Sequence, residues 1–335
     1  MKNPDNAPIR RPKFVLLLQE LRAPFFTGSV VPILVGTSLA YYHTSIWNWP
    51  LFLLALVGIV LIHAGANVAN DYFDHLSGND AANRDFVRPF TGGSRMIQNN
   101  LLSPREVLAL SLACFAMGSA IGIYLVMKAG WLLLALGVIG VLGGFFYTAP
   151  PISLVSRGIG EFVIGINFGG LPVIGAYYVQ TQVVRWETVL FSLPVAFLIA
   201  AILFINQFQD YEADKAVGKR NWVVRLGRRK SAWVLAILMS VCWMLPIVAA
   251  VVFKVGPVLC LIALIPVLAA FKAIRTAFRH YDHPRHLAPA NAMTIISHLA
   301  VGLLLSISLI VCGWGKTKEP LGIESDPVQS SESRH

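Results

Sequence analysis

Residues 50–74 read PLFLLALVGIVLIHAGANVANDYFD. About twenty mostly apolar residues, enough to cross the ~30 Å hydrocarbon core of a bilayer as a helix, run directly into two amides and two carboxylates. At 100° per residue, Asn67, Asn70, Asp71 and Asp74 share an arc of about 100°, so four oxygen-bearing side chains lie on one helix face. Acids at the end of a membrane helix are costly and usually functional. The stretch therefore gives both the fold class, an all-α polytopic membrane protein, and a place for its chemistry.

Composition agrees along the rest of the chain. Of 335 residues, 56% are hydrophobic and 13% charged, and mean hydropathy is +0.65. Soluble domains carry about 25% charged residues, so a water-soluble globular protein is excluded. Apolar runs predict nine spans, at about 24–43, 50–70, 106–127, 130–147, 158–179, 188–208, 231–252, 257–274 and 290–312. Residues 14–22, FVLLLQELR, read as a short amphipathic helix lying at the interface. The expected organisation is a cytoplasmic N-terminus with that helix over 1–23, a nine-helix domain over 24–312, and a disordered extracytoplasmic tail over 313–335.

The net charge of +10 belongs to loops between apolar blocks and implies no nucleic-acid partner. With the N-terminus inside, 21 of the 27 Lys and Arg fall on inner segments and 6 on outer ones. This asymmetry predicts an inner-membrane protein with a cytoplasmic N-terminus and an external C-terminus. Trp47, Trp49, Trp131, Trp186 and Trp314 fall near outer span ends, as an aromatic belt does. The long inner connections, about 71–105 and 209–230, put the active site on the cytoplasmic side.

The second of these connections repeats the pattern of the first. Asn206, Asp210 and Asp214 are spaced i, i+4, i+8 at the end of the sixth span, as Asn67 and Asp71 are at the end of the second. Asp80 follows the first motif in HLSGND. Both motifs sit at helix C-termini, where the macrodipole disfavours carboxylates by up to about 1 kcal/mol each. A cation should compensate, and a set of hard oxygen donors without a Cys or His cluster points to Mg²⁺. The neighbouring cations are Arg22, Arg84, Arg88, Arg95, Lys215, Lys219, Arg220 and Arg225. A subset of these facing the acids makes a clamp for a diphosphate leaving group.

The motif NxxNDYFDxxxGxD, then RPFTGGSRMIQ over 88–98 and DYEADKAVGKR over 210–220, resembles the UbiA superfamily of membrane aromatic prenyltransferases. Tyr147-Thr148-Ala149-Pro150-Pro151 and Gly160-Glu161…Gly169-Gly170…Tyr177-Tyr178 fit as well, and the resemblance covers about 14–312. The first motif and the stretch from Gly160 to Thr181 are most similar to the menaquinone-pathway members that prenylate 1,4-dihydroxy-2-naphthoate. The resemblance implies two four-helix bundles and a ninth helix around a central cavity. It implies an isoprenyl diphosphate whose head lies at the motifs, an aromatic acceptor, surrounding membrane lipid, and Mg²⁺ as cofactor. Asp71, Asp74, Asp210 and Asp214 would hold metal and diphosphate. Asn67 and Asn206 would orient them, and Asp80 would extend the first motif. Lys219 and Arg220 would touch the diphosphate, and Tyr147 would line the cavity near the allylic cation. Two positions depart from the family pattern: Gln209 where Arg is frequent, and Asn221 where Thr is frequent.

Other acceptors (4-hydroxybenzoate, homogentisate, a tetrapyrrole, a lipid alcohol) stay open on the residues alone. A secondary transporter also has repeated halves and intramembrane acids. Its site usually lies near the midplane on broken helices, whereas these acids lie at inner helix ends.

Overall fold

The computed structural model describes residues 12–253 and 264–314, and these form helices joined by turns and loops, with no strand among them. Helix α1, Lys13–Glu20, covers most of the stretch expected to lie at the interface. Arg22, at φ 57°, turns the chain into α2, Thr27–Thr44. Helix α3, Trp49–Leu76, starts where the Asn48 side chain accepts from the Leu51 N–H at 3.2 Å, and it carries the first motif at its far end. A single turn, α4, covers Asn79–Ala82. Helix α5, Pro104–Ala129, opens with a capping box in which Ser103 and Glu106 satisfy each other's backbone N–H groups. Helix α6 is Leu132–Phe145.

Helix α7 runs from Gly160 to Thr181, with a π-helical segment at Ile166–Gly170 in its middle. Helix α8, Trp186–Ala216, carries the second motif. The short α9, Trp222–Leu226, is capped by Asn221. Helices α10, Arg228–Phe253, α11, Leu264–His280, and α12, Ala288–Gly313, complete the chain.

Among the described residues, six segments are long and apolar enough to cross a membrane: Lys13–Thr44, Trp49–Leu76, Pro104–Ala129, Gly160–Thr181, Trp186–Ala216 and Pro284–Gly313. The protein is thus a multi-pass membrane protein, with six such segments among the described residues against an expected nine spans over the chain. The span expected at 130–147 becomes the 14-residue α6, about 21 Å long and short of a bilayer's ~30 Å. The span at 231–252 falls within α10. That at 257–274 begins among residues 254–263, outside the described residues, and continues in α11. The expected tail also lies outside them from residue 315 on, as do residues 1–11 of the N-terminal segment.

Two packed groups make the body. Helix α3 packs on α5, and α5 on α6. Helices α8, α10, α11 and α12 share a core in which Leu198, Phe204, Phe208, Leu235, Met239 and Ala270 are fully buried. Helix α2 joins the groups, packing on α7 and α12 around Val35, Leu39, Tyr177 and Leu305. Lipid gives helices no hydrophobic drive to associate, so close backbone approach matters more. Gly36 of α2 provides it: a Cβ there would lie 2.2 Å from the Val173 carbonyl oxygen of α7. This frame holds the C-terminal, motif-bearing ends of α3 and α8 around one cavity.

Candidate active site

The cavity has a volume of about 280 Å³, and Asn67, Asn70, Asp74, Asp80, Asn206, Asp210, Asp214 and Lys219 are in its wall. Its polar mouth gives way inward to His63, Gly144, Phe168, Ile199, Ile202 and Leu203. One wall therefore suits an anionic head and the other an apolar body. Tyr147 lies between them, in the turn after α6.

The first motif is braced by the loop that follows it. The buried Asp71 carboxylate accepts from the Ser94 backbone N–H at 2.8 Å and from the Arg22 guanidinium at 3.4 Å. Gly93 makes this possible. Its φ is +62°, and a Cβ there would lie 2.7 Å from Asp71 Oδ1. Asp80 accepts from Gln98 Nε2 at 2.8 Å. Burial first, then the carboxylates of Asp71 and Asp74, push the Asp80 carboxyl up to about 7. Arg95 donates to the Asp80 and Asn83 carbonyls and stacks over the Phe86 ring. Arg88 donates to the Gly93 and Ser94 carbonyls at 2.9 and 3.3 Å. Both arginines hold the loop rather than the cavity wall.

The second motif is braced by side-chain amides. Asp210 accepts from Asn83 Nδ2 at 2.7 Å, and Asp214 from Asn221 Nδ2 at 2.7 Å. Asn206 Oδ1 accepts from Asn291 Nδ2 at 2.7 Å, and Gln209 donates to Asn291 Oδ1 at 3.0 Å. Glu161 accepts from Gln207 at 2.9 Å and from the Trp222 N–H at 2.8 Å, tying α7 and α9 to the same helix end.

Lys219 joins the motifs. Its ammonium donates to both Asp74 oxygens, at 2.8 and 2.9 Å, and lies 3.8 Å from Asp214 Oδ1. Burial opposes the charged form, yet the Asp74 and Asp214 carboxylates outweigh it and raise the lysine above its ordinary range. Among the described residues no three His, Cys, Asp or Glu side chains are gathered closely enough to hold an ion, with Lys219 standing between the carboxylates. The donors do fit a divalent cation. They are hard oxygens on two facing helix ends, and Asp214 Oδ1 is buried without a hydrogen bond.

The structure thus brings Asn67, Asn70, Asp74, Asp80, Tyr147, Asn206, Asp210, Asp214, Lys219 and Arg22 to one cavity. Asp71 lies behind the loop that Arg88 and Arg95 hold. Arg84 and Arg220 are exposed and outside the wall. Sequence reasoning did not single out Asn83, Ser94 or Asn291. Asn221 stood out only as a departure from a pattern. Each acts through a fold contact that no spacing rule announces.

A helical membrane body with two acidic helix ends on a part-polar, part-apolar cavity defines a class of enzyme that handles a charged head on a greasy tail. The chain belongs to the UbiA prenyltransferase family, whose profile matches residues 29–314, and it is an enzyme that transfers prenyl groups. It is 27% identical over 307 residues to the 1,4-dihydroxy-2-naphthoate octaprenyltransferase of Bacillus subtilis, covering 92% of this chain and 96% of that one. It is 29% identical over 312 residues to the 2-carboxy-1,4-naphthoquinone phytyltransferase of Synechocystis, covering 93% and 96%. In fold it is similar to a UbiA homolog from Archaeoglobus fulgidus solved with GPP and Mg²⁺, with a TM-score of 0.66, 15% identity, and coverage of 88% of this chain and 99% of that one. The same homolog has been solved with Cd²⁺.

Proposed function

We propose that this enzyme transfers a polyprenyl group from its diphosphate to 1,4-dihydroxy-2-naphthoate, with loss of CO₂, as a step of menaquinone biosynthesis. The observation that carries the acceptor is likeness over more than nine-tenths of the chain to enzymes named for naphthoate and naphthoquinone substrates. The site supports the donor. Asp74, Asp210 and Asp214 would hold Mg²⁺ at the cavity wall, with Asp71 behind them on Ser94 N–H and Arg22, and the ion would supply charge neutralisation of the departing diphosphate. Lys219 stands between the motifs, placed to exchange Asp74 for a diphosphate oxygen. The apolar wall at Phe168, Ile199 and Leu203 takes the first isoprene units and excludes water from the allylic cation. The Tyr147 ring, with its negative face, lines the space where that cation forms. An electron-rich dihydroxynaphthalene ring captures the cation without a strong protein base, and the displaced carboxyl leaves as CO₂. The positive-inside asymmetry supports an inner-membrane orientation with the motifs and the N-terminus in the cytoplasm and the C-terminus outside.

The test is an assay of purified protein with isoprenyl diphosphate and a panel of aromatic acceptors, read by product mass. The naphthoate product gains the prenyl group and loses CO₂. Turnover of 4-hydroxybenzoate with its carboxylate retained, and none of the naphthoate, overturns the acceptor and leaves prenyl transfer standing.

A further inference from the structure

The hydrogen bonds behind the second motif carry a direction. The Pro284 backbone carbonyl can only accept, and Gln209 donates to it through Nε2 at 3.2 Å. That same Nε2 faces Asn291 Oδ1 at 3.0 Å. The other end of the Asn291 amide is then its NH₂ group, which donates to Asn206 Oδ1 at 2.7 Å. Asn291 is fully buried and Gln209 is 4% exposed, so water cannot invert the order. Reversing any one amide would set two acceptors or two donors against each other, in a setting where each unmet polar group costs about 1–3 kcal/mol.

The order ends at Asn206, which lines the cavity. Its oxygen is engaged behind the wall, and no hydrogen bond among the described residues uses its NH₂ group. Asn206 therefore offers the cavity a donor. A donor cannot ligate a cation, but it can hold an anionic oxygen. We propose that Asn206 is a neutral hydrogen-bond donor to the diphosphate rather than a metal ligand, and that Asn291 of α12 is the positioning residue that keeps it so. The proposal rests on the prenyl-transfer reading above and assigns a role within the same site. It also gives Gln209 a reason. A guanidinium has no acceptor, whereas a glutamine donates to Pro284 and Asn291 while its Oε1 takes a second, longer bond from Asn291 Nδ2 at 3.4 Å.

Two isosteric variants test it in detergent-solubilised full-length protein. Asn291→Asp puts acceptors at both ends of the buried group, so Asn206 must turn its NH₂ inward and face the cavity with oxygen. Asn206→Asp keeps the Asn291 bond and replaces the donor directly. Binding of geranylgeranyl diphosphate without metal and binding of Mn²⁺ without diphosphate are measured separately, with KM for each substrate and kcat. Both variants should weaken metal-free diphosphate binding roughly tenfold or more, as expected for a lost hydrogen bond to a charged group. Mn²⁺ affinity should hold within threefold or tighten. KM for the diphosphate should rise with KM for the aromatic acceptor unchanged. A merely structural role for Asn291 would lower stability and kcat while leaving that KM in place. Weaker Mn²⁺ binding in Asn291→Asp at unchanged diphosphate affinity overturns the proposal and makes Asn206 a ligand. Wild-type protein that binds no isoprenyl diphosphate overturns the donor reading itself, a distinct result.

Discussion

The two acidic motifs look alike as strings and are held in unlike ways. Asp71 leans on an arginine before α2 and on a backbone N–H of a loop shaped by a left-handed glycine. Asp210 and Asp214 lean on the neutral amides of Asn83 and Asn221. The first support is a backbone N–H of the connection after α4 and the guanidinium before α2, and the second is two side-chain amides, one closing α4 and one capping α9. Equivalent chemistry at two helix ends therefore does not mean equivalent sensitivity to mutation around them.

The comparison is broken first at the acids themselves. Asp71→Asn and Asp210→Asn should each lower kcat by about 100-fold or more, because either leaves the charge on the departing diphosphate half-balanced. EDTA should abolish turnover and Mg²⁺ restore it. A large loss in one variant alone would show that one motif suffices, and full activity in EDTA would refute a divalent cation between them. Next comes the link between motifs. Lys219→Gln leaves Asp74 and Asp214 facing each other in a part-buried site. Metal-free protein should lose about 3 kcal/mol of stability. Thermal melting should recover part of that loss when Mg²⁺ is added, and equal melting with and without Mg²⁺ would refute a shared cation position.

The supports sharpen the contrast. Gly93→Ala meets Asp71 and an unfavourable φ, at a cost of about 1–2 kcal/mol. Its effect should appear as a raised KM for the diphosphate. Asn221→Ala removes both the α9 cap and the Asp214 partner, and should cost about 1–3 kcal/mol, seen mainly in melting temperature. Equal effects on KM from both variants would erase the difference between the motifs. The smallest effect is expected at Arg84, exposed and away from the wall. Arg84→Ala should keep kcat/KM within about twofold.

Much of this was legible in the sequence, because bilayer thickness and the cost of intramembrane charge constrain residue order directly. The run ending at Asn67–Asp74 becomes α3, and the run ending at Asn206–Asp214 becomes α8. Period alone put Asn67, Asn70 and Asp74 on a face that lines the cavity, whereas Asp71, grouped with them, is turned to the loop behind. What stayed hidden depends on contacts far apart in the chain. Asn291 sits 85 residues from Asn206, and Asn83 sits 127 from Asp210. Neither has a local pattern to announce it. Arg88 and Arg95 look like anion ligands by charge, yet their guanidinium groups are taken by loop carbonyls. The 14 residues of α6 read as a span because hydropathy does not report where a helix ends.

The π-helical segment of α7 has an evolutionary and engineering consequence. Its wide turn at Ile166–Gly170 sets the phase between two stretches of ordinary helix, Gly160–Gly165 and Leu171–Thr181. Taking one residue out would close it into a regular turn and rotate one stretch against the other by about 100°. Glu161 would swing away from Gln207 and Trp222 while the other half kept its seat against α2. A side chain at Gly169 would press on the Ala196 backbone 2.4 Å away, but a single-codon deletion acts on the whole helix like a slipped gear. Sequences that align through this segment without a gap share the phase of their active-site wall, and sequences that need a gap do not.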